Sequence, residues 1–126
     1  MKFKWVTLVV NNFNETLKFY EEIVGLKLTR MFDSTNEGYR IAFLGDQSTQ
    51  IEIIESNDLK NINMGKHICL GFTVDSLDDT IEYLQSKQVR IHIGPLQPSP
   101  KIKFIYVLDP NGLKVQFAQV LDNNKE

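Results

Sequence analysis

Residues 4–20, KWVTLVVNNFNETLKFY, and residues 66–84, KHICLGFTVDSLDDTIEYL, are two copies of one pattern. Each begins as an alternating strand and passes into helical spacing, with apolar residues at i, i+4 and i+7: Phe13, Leu17, Tyr20 in the first copy and Leu77, Ile81, Leu84 in the second. Farther along, Ile51-Glu52-Ile53 in the first half stands where Val115-Gln116-Phe117 stands in the second. Lys4 matches Lys66 at an offset of 62, whereas Phe13 matches Leu77 at 64, so one small insertion reconciles the copies. Such self-similarity implies two related units.

Outward from this repeat, the chain is expected to run strand, helix, three strands, twice. The first set is residues 3–10, a helix over 14–24 ended by Gly25, and strands over 26–32, 39–44 and 50–55. The second is 67–74, a helix over about 78–87, and strands over 90–93, 104–108 and 113–120. Asp109-Pro110-Asn111-Gly112 reads as a turn. Residues 94–100, with three prolines, read as a stiff loop, and the polar tail after Leu121 as frayed. We expect one domain over residues 1–126, with modules of about 1–56 and 66–121 and a linker at 57–65.

The bulk numbers exclude several functions. A net charge of -2 provides no basic field to attract nucleic acid or an anionic membrane, and no apolar run reaches the roughly 20 residues of a membrane span. The strand pattern starting beside Met1 leads us to expect no signal peptide and a cytoplasmic location. The single cysteine, Cys69, reads as a small core filler in a reducing compartment.

Neighbouring strand residues point to opposite faces. If Ile68, Leu70, Phe72 and Val74 cover a helix, His67, Cys69, Gly71 and Thr73 face away from it. Trp5, Glu52 and Gln116 face away by the same argument, and a curved sheet would make that side a concave pocket for a small molecule. Bland readings stand beside this one: a hydrogen-bonded structural histidine at His67, a solvent-facing charge at Glu52, a polar filler at Gln116. His92 reads as a surface histidine or as an acid or base at the pocket rim. Asp78 and Asp79 suit the positive end of a helix dipole without any catalytic role.

The order and spacing of these features, from the strand at Trp5 through Phe19-Tyr20 and Gly25-Leu26 to the Asp109–Gly112 turn, resemble the vicinal oxygen chelate superfamily. That superfamily includes glyoxalase I, extradiol dioxygenases and bleomycin-binding proteins; the chain looks most like the bacterial lactoylglutathione lyases. The resemblance implies an α+β fold of two βαβββ modules forming a cupped mixed sheet, and a homodimer. It also implies metal-ligand positions at Trp5, Glu52, His67 and Gln116. Trp5 has no free lone pair for a metal, which leaves Glu52, His67 and Gln116 for a divalent ion such as Zn, Ni, Co, Mn or Fe, if one is bound at all. Two functions follow as expectations. One is a metal-assisted lyase or isomerase acting on a small carbonyl or thioester substrate, with Glu52 moving the proton through an enediolate-type intermediate. The other is a metal-free binding protein of the bleomycin-resistance type, in which Trp5, Tyr39, Phe43, Phe104 and Tyr106 hold an apolar ligand.

Overall fold

The computed structural model describes residues 1–121, and the expected frayed tail lies outside them. The chain divides into two compact units, Met1–Met64 and a second from Gly65 onward. Each unit is a βαβββ module with its own four-stranded mixed sheet, as an α+β chain requires.

In the first unit β1 (Trp5–Val9) leads into α1 (Phe13–Lys18), followed by β2 (Leu28–Ser34), β3 (Tyr39–Gly45) and β4 (Gln50–Ser56). The strand order is β1-β4-β3-β2, with β1 parallel to β4 and the remaining pairs antiparallel. One face carries the apolar alternation: Leu8, Val10, Ala42, Leu44, Ile51 and Ile53 are buried on it, and α1 packs there against β4. The helical stretch is not uniform. Residues Phe19–Ile23 form a π-helical turn, with the Val24 amide donating to the Phe19 carbonyl, before Gly25 at φ 87° ends the segment. Phe13, Thr16, Phe19 and Tyr20 are buried along this segment, and Leu17 is half-buried.

Gly45 closes β3 at φ 138°, where an added Cβ would lie 2.6 Å from the Thr49 carbonyl oxygen. Gly45→Ala should therefore destabilise the protein by about 1 to 3 kcal/mol, read as a lower urea midpoint. A midpoint unchanged from wild type would show that the hairpin relaxes freely. In the loop that follows, the Asp46 carboxylate accepts from the Ser48 hydroxyl at 2.7 Å and from the Ser48 and Thr49 amides, which hold its pKa below the ordinary 3.8.

The second unit repeats the plan with β5 (Cys69–Thr73), α2 (Leu77–Ser86), β6 (Ile91–Ser99), β7 (Ile102–Leu108) and β8 (Lys114–Val120), in the order β5-β8-β7-β6. Ser76 caps α2 by accepting from the Asp79 amide, and Leu77 and Leu84 are buried where the helix meets β8. The expected proline-rich loop is instead the continuation of β6. Its register against β7 shifts three times and its Gly94-Pro95 bond is cis. Prolines are tolerated there because β6 is a sheet edge, with one side of its backbone needing no donors.

Candidate functional site

Opposite its helix, each sheet has an open face, and the ladder registers decide what stands on it. In the first unit Trp5 lies beside Gln50 and Thr7 beside Glu52 across the parallel β1–β4 pair. Across the β4–β3 and β3–β2 pairs Glu52 stands opposite Phe43, and Phe43 opposite Arg30. Trp5, Thr7, Glu52, Phe43 and Arg30 thus share one face by strand alternation.

Their side chains touch. The Trp5 and Phe43 rings meet edge to face with centroids 5.9 Å apart, although their strands are separated by β4, so the pair spans the backbone beside Glu52. The Arg30 guanidinium lies 4.3 Å from the Phe43 ring centroid, and these two neighbours leave Phe43 only 6% exposed on an otherwise open face. Trp5 itself remains 49% exposed. The Thr7 hydroxyl donates to Glu52 Oε1 at 2.6 Å, while Oε2 has no protein donor and Glu52 no ion-pair partner among the described residues. Tyr39 sits farther along β3 on the same face, exposed.

In the second unit Cys69 lies beside Lys114 and Gly71 beside Gln116 across β5–β8, and Tyr106 stands opposite Gln116 on β7. The Gln116 amide makes a long 3.4 Å hydrogen bond to the Tyr106 hydroxyl, Phe104 packs edge to face on Tyr106, and the Lys114 ammonium lies 5.6 Å from the Tyr106 ring centroid. Gly71 makes room for Gln116: a Cβ there would lie 3.3 Å from its Oε1.

These registers correct the internal alignment. Trp5 corresponds to Cys69, Thr7 to Gly71 and Glu52 to Gln116, all at the single offset of 64, with no insertion in the leading strand. His67, matched to Trp5 at the offset of 62, lies in the exposed turn before β5, two residues ahead of the counterpart position. Cys69 is exposed on the open face rather than filling the core. His92 is an exposed residue of the edge strand β6. Thr7, Arg30 and Lys114 were not singled out from the sequence, although Thr7 shares the strand parity of Trp5.

The chemistry of a metal site follows from these donors. At the four corresponding strand positions stand an indole, a carboxylate, a thiol and an amide: Trp5, Glu52, Cys69 and Gln116. Only Glu52 offers an ionised oxygen, and one of its two oxygens is already engaged by Thr7. Among the described residues no group of three or more His, Cys, Asp or Glu side chains is placed to hold a metal ion.

Known proteins share this plan. The lactoylglutathione lyase of Neisseria meningitidis is 27% identical over 128 residues, covering 94% of this chain and 91% of that one. A glyoxalase I mutant from Zea mays superposes with a TM-score of 0.82 at 23% identity over 96% of this chain, which spans 45% of the maize chain. An antibiotic binding protein from a Streptomyces species has a TM-score of 0.75 at 20% identity, with 95% of this chain and 96% of that one covered. The family model described as Glyoxalase/Bleomycin resistance protein/Dioxygenase superfamily matches residues 2–117, nearly the whole of the repeated architecture, and the chain belongs to that superfamily.

Proposed function

We propose that the protein is a small-molecule binding member of its superfamily, which takes a flat apolar ligand on the open face carrying Trp5 and Phe43. One observation carries this reading: the leading-strand position, which the resemblance assigns to a metal ligand, holds a half-exposed indole already packed edge to face on Phe43. An exposed aromatic face beside a polar group has both the area and the orienting contact that ligand sites use. The Streptomyces antibiotic binding protein with the same fold is consistent with it.

Calorimetric titration of the full chain with fused-ring aromatics such as naphthalene derivatives, in the presence of a chelator, tests it. We expect saturable binding, and Trp5→Ala should weaken it by about tenfold or more, since stacking on an aromatic wall contributes about 0.5 to 1.5 kcal/mol beyond the area lost. Equal affinity in Trp5→Ala would remove Trp5 from the site.

A second reading is a lyase in which Glu52 moves a substrate proton. The similarity to lactoylglutathione lyase over 94% of the chain and the carboxylate on the open face favour it. In that reading Glu52 would be the carboxylate ligand of a divalent ion, and metal content that falls in Glu52→Ala would support it. Metal content unchanged in that variant would remove it. The homodimer and the cytoplasmic location belong to the proposal as well; among the described residues no helix is long and apolar enough to cross a membrane.

A further inference from the structure

The open face of the first unit holds a carboxylate that the fold leaves unneutralised and sets against aromatic rings. The Thr7 hydroxyl fixes Oε1 of Glu52 at 2.6 Å, Oε2 receives no protein hydrogen among the described residues, and the Trp5–Phe43 pair lies alongside. Arg30, a cation on this face, is engaged with the rings, at 4.3 Å from the Phe43 centroid and 5.7 Å from that of Phe32. It forms no ion pair with Glu52 among the described residues. An ionised carboxylate can only accept, and aromatic faces attract cations, so both kinds of group on this face select the same chemistry.

We propose that Glu52, oriented by Thr7 and flanked by Trp5 and Phe43, makes the site selective for ligands that carry an ammonium or similar cationic donor on an aromatic body. This inference rests on the binding reading above and adds the charge of the ligand to it. Glu52 makes the contact; Thr7 is a positioning residue, because its hydroxyl holds one carboxylate oxygen and leaves the other directed at the ligand. The second unit differs at the corresponding positions, Gly71 and Gln116, which bear no charge. Selectivity for charge therefore resides in the first unit.

Three probes that share one ring separate the possibilities: 1-naphthylmethylammonium, 1-naphthylmethanol and 1-naphthylacetate, each titrated calorimetrically into the full chain with chelator present. The ammonium should bind about fivefold to tenfold more tightly than the alcohol, with the carboxylate weakest, as expected for one cation–π contact combined with one exposed charge pair. Glu52→Gln should bring the ammonium-to-alcohol ratio to within about twofold of unity, chiefly by weakening the ammonium. Thr7→Val should lower that ratio and Thr7→Ser restore it, a pattern that loss of fold alone would not produce. Equal binding of all three probes, or a preference for the carboxylate, overturns the charge assignment while leaving the binding reading intact. Persistence of the ammonium preference in a folded Glu52→Gln variant overturns it too, and failure of all three probes to bind overturns both.

Discussion

Replacing Phe13 with alanine should cost about 3 to 5 kcal/mol, the range for removing a fully buried aromatic side chain from a packed core. Phe13 opens α1 and is 1% exposed among the buried residues that α1 presents to the sheet. Its ring also carries a second layer. The Arg40 guanidinium lies 4.5 Å from the Phe13 centroid, donates to Glu55 Oε1 from Nε at 3.0 Å and from Nη2 at 2.8 Å, and reaches Asn14 Oδ1 at 3.1 Å. Removing the ring opens a cavity and also takes the stacking surface from an arginine that links the helix to β4. Since domains of this size are stable by only about 5 to 15 kcal/mol, the variant should retain a small part of its stability. Urea unfolding followed through the fluorescence of Trp5, the one tryptophan in the chain, measures this. A loss below about 1 kcal/mol would mean that the first helix does not anchor its unit.

The second large effect is expected at the turn between β7 and β8. Asp109 is only 5% exposed, and its Oδ1 accepts from the Asn111 amide at 2.7 Å and the Leu113 amide at 3.0 Å. The main chain closes the same turn, with the Asp109 amide donating to the Leu113 carbonyl and the Gly112 amide to the Asp109 carbonyl. Asp109→Ala leaves two amide hydrogens without their acceptor in a part-buried turn and should cost about 2 to 4 kcal/mol. Asp109→Asn keeps a neutral oxygen in place and should recover about half of that loss. Thermal or urea unfolding of the two variants checks the order. If asparagine proves as damaging as alanine, the carboxylate acts through its charge and not through the two amide bonds.

Much of the architecture was legible because each element has a local physical cause. The 3.6-residue period marks both helices, Gly25 at positive φ ends the first, and the Asp109–Gly112 turn carries its own acceptor. The parity of Trp5, Glu52 and Gln116 was legible as well, since the open faces carry them as alternation requires. Three features were not. A slip of two residues keeps every side chain on its own face, so alternation could not distinguish His67 from Cys69 as the partner of Trp5; only the hydrogen-bond register does. The π-helical turn at Phe19–Ile23 lies within an apolar pattern that reads equally well as α-helix. The prolines of β6 signal a loop unless the strand is known to be an edge, and edge position is a property of the sheet that no local stretch encodes. Thr7 and Arg30 escaped notice for a related reason: their roles lie in contacts to Glu52 and Phe43, made across strand pairs.

The central proposal is that Trp5, at a position the resemblance assigns to a metal ligand, serves as a wall for a flat apolar ligand. The most direct test measures two things on the same dialysed protein, affinity for 1-naphthylmethylammonium in chelator and formation of lactoylglutathione from glutathione and methylglyoxal after titration with Zn, Ni or Co. We predict saturable binding that needs no metal and is weakened about tenfold or more in Trp5→Ala, with no turnover under any metal. Metal-dependent turnover abolished by Glu52→Gln, together with probe binding indifferent to Trp5, would contradict the claim.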